Sequence, residues 1–417
     1  MSNNEDNLLQ ENSISTCFWN QFIHQANGQG IVISVGEGQV EDVVRLIKVL
    51  RYLKNLLPIE IVHKGDLSQG SQDWIIRTSR TTITISEDFL IDDSLQDIWF
   101  VDASKAIHPL YIEVFKRFSN KWIASLFNSF DEMVLMDSDT VPFVPPEHFL
   151  NMESRKLKGA LFFKDRAIGE TISSSDVSFY KELLPSVAEW KLFNLSMATE
   201  ITMDNAFFKH KQKHVMESGV VVLQRSTHLL GLLISTVLQL KKATSSPIYG
   251  DKELFWLGQS IAGNEDYTFN SNSAGAVGVV KDDIYKDFYS ICSTQVAHFD
   301  SHKTLLWLNG GLKVCKKPSW QRDYAKQKHL RKTFKSVEEL KENYQSSMQI
   351  NGAIIPNNVE YKFLKKPSRG FKKNPSLGCS GYFWCAFTHV DDYEDYVIRY
   401  TQEEIRQFDI IIKIWSS

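Results

Sequence analysis

Gly30-Ile31-Val32-Ile33-Ser34-Val35-Gly36 is a short, nearly unbroken apolar run closed by glycine, the pattern of a strand buried on both faces. Behind it, apolar positions recur at helical spacing at Val40, Val43, Val44, Ile47, Leu50, Leu53 and Leu57, and Pro58 ends the repeat. Ile59-Glu60-Ile61-Val62 predicts the next strand. A strand–helix–strand opening predicts an α/β domain on a mostly parallel sheet. Further strands are predicted at Ile98–Asp102, Glu132–Met136, Gly159–Phe163 and Glu217–Leu223. Trp122, Ile123, Leu126, Phe127 and Phe130 share one helical face, and helices are predicted near 226–242, 251–261, 336–346 and 401–412. Residues 66–96 are polar and read as a loop or a small β excursion. Residues 168–214 lack a clear period and read as an insertion over the site; the chain is Lys-rich from about 316 to 375.

Composition narrows the class. The chain has 417 residues, 43% of them hydrophobic and 23% charged, which excludes wholesale disorder. The net charge of -3 gives no global reason to bind nucleic acid. The longest apolar stretch, Leu229–Leu240, is too short to span a bilayer. The polar, acidic start does not read as a signal peptide. The five cysteines, Cys17, Cys292, Cys315, Cys379 and Cys385, form no CxxC, and the spacing of Cys379 and Cys385 is short enough to close a small loop. Asn194-Leu195-Ser196 is a glycosylation sequon.

The sharpest chemistry is Asp137-Ser138-Asp139, directly after the strand Glu132–Met136. Paired carboxylates at a strand's C-terminal end open into the crevice where α/β sheets bind ligands, and hard oxygens suit Mn²⁺ or Mg²⁺. His298 is a candidate imidazole ligand. Tyr249-Gly250-Asp251-Lys252-Glu253 places two acids around a lysine at a helix start, and Asn309-Gly310-Gly311 with Lys313 suits close approach to a phosphate. Gly36-Glu37-Gly38 lacks the third glycine of a dinucleotide fingerprint, and there is no GxxxxGK[ST], GxSxG or HExxH.

Read in order, GIVISVGEGQVEDVVRLIKVL, DEMVLMDSDTVPF, GALFFKDR, ESGVVVLQR, YGDKELFWLGQSIAG, CSTQVAHFD and LLWLNGG resemble the fungal Golgi α-1,3-mannosyltransferases of glycosyltransferase family 71. The resemblance implies a GT-A fold: an α/β, Rossmann-like sheet flanked by helices, with a C-terminal extension. It places an N-terminal arm at 1–28, a catalytic domain at 29–315 and the extension at 316–417. It implies a retaining transferase that moves mannose from GDP-α-mannose to a mannose-ended N- or O-linked glycan in α-1,3 linkage, with Mn²⁺ held by Asp137, Asp139 and His298. Asp251, Glu253 and Glu217 become the candidate catalytic residues. Val35, Gly36, Lys164, Arg166, Gly219, Asn309, Gly310, Gly311 and Lys313 become the candidate nucleotide contacts. Arg45, on the first helix, reads as a surface residue. The resemblance also implies a Golgi-luminal protein, natively anchored by a membrane segment that this chain lacks. The alternatives are α-1,2 linkage, a UDP-sugar donor, and a non-catalytic glycan-binding protein with a transferase fold.

Overall fold

The computed structural model describes residues 18–86, 89–91, 94–166, 168–283, 288–356, 370–389 and 396–417. Cys17 and most of the expected N-terminal arm lie outside them. The predicted apolar runs form strands β1 (Gln29–Ser34), β2 (Ile59–His63), β3 (Ile98–Asp102), β4 (Glu132–Met136), β5 (Ala160–Lys164) and β6 (Met216–Gln224), and the short β7 (Tyr267–Phe269), which the sequence did not predict, joins them. They make one seven-stranded sheet in the order β7-β5-β6-β4-β1-β2-β3. Six strands are parallel, and β6 runs antiparallel to both neighbours, β4 and β5. Ile31, Ile33, Val134, Val220 and Val222 pack into one apolar layer, Val32, Leu135, Val221 and Leu223 into the other. This two-sided burial is why these strands read as continuous apolar runs rather than as alternating ones.

Helix α1 (Val40–Tyr52) covers one face through Val43, Val44, Leu46, Ile47 and Leu50. On the other face lie α2 (Asn120–Leu126), α3 (Arg225–Leu240) and α4 (Lys252–Ile261). Gly231 and Gly258 let α3 and α4 pack closely: a Cβ on Gly258 would lie 2.6 Å from the Gly231 carbonyl oxygen. The C-terminal helix α5 (Gln402–Ser416) starts at Thr401, whose side chain caps the Glu404 N–H while Glu404 returns a bond to the Thr401 N–H. It adds Phe408, Ile411, Ile412, Ile414 and Trp415 to the layer that holds α1.

Two sequence expectations change. Within 66–96, a helix spans Gln69–Arg80 before the short hairpin Ile83–Ser86 and Phe89–Ile91. Only Ile75 of its apolar residues is fully buried, so the periodicity is faint, although Ser68 caps the Ser71 N–H. Residues 168–214 are not a cover over the site. They form short helices whose Tyr180, Phe207 and Phe208 pack with Trp256 and its neighbours in the core.

Two disulfides tie the C-terminal region to earlier parts of the chain. Cys292 pairs with Cys385 on directly opposed strand positions, and Cys315 pairs with Cys379. The small loop expected between Cys379 and Cys385 is therefore not closed, because each cysteine faces an earlier part of the chain. The Cys315–Cys379 bridge spans 64 residues, and chain-entropy reasoning gives such a crosslink about 2–5 kcal/mol. We expect Cys315→Ser/Cys379→Ser to lose that much in urea unfolding; an unchanged midpoint would show that the bridge does not restrain the unfolded chain.

Candidate active site

The C-terminal ends of β1 and β4 open into a cavity of about 760 Å³, where the crevice of an α/β sheet is expected. Ser34 ends β1 and Asp137, Ser138 and Asp139 follow β4; all line the cavity. The turn is fixed through its backbone. The Asp137 N–H donates to the Gly219 carbonyl at 2.9 Å, and the Asp139 carbonyl accepts from the Gly310 and Gly311 N–H groups at 3.2 and 2.9 Å. Gly310 and Gly311 have φ of 97° and 69°, which glycine adopts without steric cost. A Cβ on Gly219 would meet Trp307 at 2.6 Å, so this glycine serves close packing behind the turn.

Two buried lysines organise the charges. Lys121 Nζ lies 2.7 Å from Asp137 and 3.0 Å from Asp251, and donates to the Ser218 carbonyl at 2.8 Å. Lys252 Nζ lies 2.8 Å from Asp165 and 2.6 Å from Glu217. Burial lowers a lysine's pKa, but here two carboxylates each outweigh it, so both lysines end above their ordinary range. Glu217 also accepts from the Asn309 side-chain amide at 2.7 Å. Burial raises its pKa, Lys252 lowers it more, and the net direction is down. For Asp137 and Asp139 the net direction is up: burial dominates, neighbouring carboxylates add to it, and the cations only partly offset it.

The lining residues carry five carboxylates, Asp42, Asp137, Asp139, Glu217 and Asp251, against eight cations, Arg45, Arg117, Lys121, Arg166, Lys252, Lys313, Lys316 and Lys317. That excess suits an anionic ligand. Lys316 is pushed down to about 8, chiefly by burial and further by the nearby Arg166 guanidinium. Arg166 is buried with Nη1 free of any hydrogen bond within the described chain.

The candidate residues separate cleanly. Asp137, Asp139, Asp251, Glu217, Arg166, Asn309, Gly310, Gly311 and Lys313 line the cavity; Val35, Gly36, Lys164, Gly219, Glu253 and His298 do not. Val35 is buried in the core layer, and the Gly36 N–H bonds to the Gln39 side chain. Lys164 Nζ donates to the Ser271 carbonyl at 2.9 Å. Glu253, expected to touch sugar, instead accepts from the Val215 and Met216 N–H groups and from Trp256 Nε1 at 2.8, 3.1 and 2.7 Å. It positions the start of β6. His298 is buried and stacked on Trp307 with ring centroids 3.9 Å apart, and neither ring nitrogen has a hydrogen-bond partner. Burial holds it down to about 3, so the imidazole is neutral. Among the described residues no group of three His, Cys, Asp or Glu side chains is arranged to hold a metal ion. Asp137 and Asp139 fit a hard divalent cation by their chemistry, and the neutral His298 keeps one unpaired ring-nitrogen lone pair near Glu217 without joining them in a cluster.

Lys121, Asp165, Lys252, Lys316, Tyr249, Tyr382 and Trp415 escaped the sequence reading as site residues. Lys121 is the one cation in the otherwise apolar stretch Lys121–Leu126, and Lys316 sits in a Lys-rich stretch that resembles a solvated face. Arg45, read as a surface residue, lines the cavity and pairs with Asp42 at 3.0 Å.

A family model described as "Mannosyltransferase putative" matches residues 28–300. The α-1,3-mannosyltransferase MNT2 of Saccharomyces cerevisiae is 36% identical over 96% of this chain and 71% of its own length. The chain belongs to the fungal α-1,3-mannosyltransferase family. A second relative, the probable α-1,3-mannosyltransferase MNT4 of the same yeast, is 35% identical over 96% of this chain and 68% of its own. The α-1,3-mannosyltransferase MNN1 of that yeast is 31% identical over 95% of this chain and 56% of its own. The solved structure of the yeast mannosyltransferase Ktr4p is similar over 59% of this chain and 68% of its own, at TM-score 0.34 and 12% identity. The chain is accordingly a glycosyltransferase of the mannosyltransferase class, and its mostly parallel sheet flanked by helices is the α/β architecture expected from its sequence.

Burial pushes Glu253 up to about 7. A carboxyl raised in the folded state contributes stability that is full below its unfolded pKa of about 4.3 and lost as pH rises through 7. Glu253→Gln removes this titration and turns an amide towards the Trp256 N–H. We expect the variant to be less stable than wild type at pH 5, with the gap narrowing by pH 8 in thermal melts. A gap independent of pH would show that the three donors keep the carboxylate ionised.

Proposed function

We propose that this enzyme transfers mannose from GDP-α-mannose to a mannose-ended glycan, forming an α-1,3 linkage with retention, in the Golgi lumen. The observation that carries the donor reading is the convergence of Arg166, Lys313 and Lys316 on the cavity that also holds Asp137 and Asp139. A diphosphate answers the first set, and a divalent cation answers the second. Family membership supports mannose and the α-1,3 linkage. The two disulfides suit an oxidising lumen.

Asp137 and Asp139 would hold Mn²⁺, with His298 the third candidate ligand; bound there, the ion would neutralise charge on the departing diphosphate. The chain's own residues supply the remaining electrostatics. Arg166, whose Nε lies 3.5 Å from Asp165 but whose Nη1 is unpaired among the described residues, and Lys316 are the cations that would pair with phosphate oxygens, whereas Lys252 is already committed to Asp165 and Glu217. Asp251 and Glu217 line the cavity and stabilise positive charge that develops at the anomeric carbon. Both oxygens of Glu217 are engaged, one by Lys252 and one by Asn309, which weakens it as a covalent nucleophile. This favours front-face displacement, in which the leaving phosphate oxygen takes the acceptor hydroxyl's proton.

Isothermal titration of GDP with and without Mn²⁺ tests the donor site. We expect Mn²⁺-dependent binding that Asp137→Ala and Asp139→Ala each weaken at least about tenfold, close to 1.4 kcal/mol. Equal binding by wild type and both variants would remove the metal role. In a donor panel, preference for a UDP-sugar would overturn the nucleotide assignment. For Asp251→Ala, we expect transfer to fall by at least about a hundredfold, as for lost electrostatic stabilisation of developing charge; full activity would remove Asp251 from the chemistry.

A further inference from the structure

The cavity carries two large aromatic rings that the donor chemistry leaves unused. Phe118 and Tyr249 both line it, and they are 49% and 46% exposed. Their ring centroids lie 5.9 Å apart. Two local devices hold them there. Arg117, the residue before Phe118, has a φ of 54°, in the left-handed region that non-glycine residues rarely occupy. Such strained conformations concentrate at functional sites. Gly250, the residue after Tyr249, has a φ of 70°, and a Cβ there would touch the Phe118 ring at 3.3 Å. Tyr382, another lining residue, has its pKa raised chiefly by burial and further by the neighbouring Tyr249 phenol.

The rings adjoin the carboxylate centre. A chain of contacts links them. Gln39, near the end of β1, reaches Ser138 at 3.4 Å, and next to Ser138 Asp137 meets Lys121. Lys121 meets Asp251, and Asp251 follows directly on Tyr249-Gly250, which pack on Phe118. The polar residues Ser34, Gln39, Asp42 and Arg45 stand at the first end of that chain and the aromatic pair at the last. Half-exposed ring faces beside a polar centre suit a flat partner with an apolar face and hydroxyls at its rim. The axial C–H groups of a pyranose make such a face.

We propose that Phe118 and Tyr249 form the platform on which the acceptor mannose stacks, placing its attacking hydroxyl beside Asp251. The assignment rests on the mannosyl-transfer reading, and it makes these rings, rather than the donor cradle, the determinant of acceptor affinity. The competing occupant is the donor's nucleobase, which also stacks on aromatic rings.

The test titrates α-mannobiose by NMR into the whole protein with GDP present, and titrates GDP separately. The variants are Tyr249→Ala and Phe118→Leu, the second keeping apolar volume beneath Gly250 while removing the flat face; thermal melts check that each is folded. We expect mannobiose affinity to fall about tenfold in each variant, with GDP affinity within about twofold of wild type. Weaker GDP binding with unchanged mannobiose binding would assign the rings to the base and overturn the proposal. Absent mannobiose binding in wild type, or equal binding in all three proteins, would also overturn it. Mannobiose binding that depends on the rings, in a protein that transfers no mannose, would leave the platform standing and remove the transferase reading instead.

Discussion

The site depends on how two lysines are shared. Lys121 is divided between Asp137 and Asp251, and Lys252 between Asp165 and Glu217. Four carboxylates crowded at the end of a buried sheet would repel one another and take up protons. Placing one cation between each pair counters that tendency: it brings Glu217 below its ordinary range and partly offsets the rise at Asp137. Removing one partner from such a buried pair typically costs about 3–5 kcal/mol, because the other is left uncompensated. The arrangement also ties together elements far apart in the chain: α2 to the turn after β4, and α4 to β5 and β6. The charge network is thus both part of the lining of the candidate site and a set of tertiary crosslinks.

A second layer of constraint comes from the C-terminal region. The Cys315–Cys379 bridge fixes the segment that begins with Lys316 and the turn that carries Tyr382. Lys316 Nζ lies 4.8 Å from the Tyr382 ring centroid. Trp415, from the last helix, stands beside Gly311 at the cavity wall. The polar tail read as an extension therefore supplies one wall of the site, and it is held there by both disulfides and burial.

Legibility followed sequence distance. The sheet was readable because strands buried on both faces are short, dense apolar runs. Asp137 and Asp139 were readable because both acids follow directly on such a run. Lys121, Lys252 and Asp165 were not, because each acquires its meaning from a partner tens of residues away: Lys252 and Asp165 are 87 positions apart. Glu253 misled for the same reason. Its position at a helix start suggested sugar contact, while its partners on β6 are visible only in the fold. The helix Gln69–Arg80 was hidden because it buries so little, and the cysteine pairing because spacing does not encode which strands oppose each other.

The most direct measurement is the structure of the product. GDP-α-mannose, Mn²⁺ and α-mannobiose are incubated with the enzyme, and the trisaccharide is analysed by NMR for linkage and anomeric configuration. The account predicts one added mannose, α-linked at O3 of the acceptor's non-reducing end. A β-linked product, a sugar added from a UDP donor instead, or no transfer from GDP-mannose under conditions where GDP binds would contradict it.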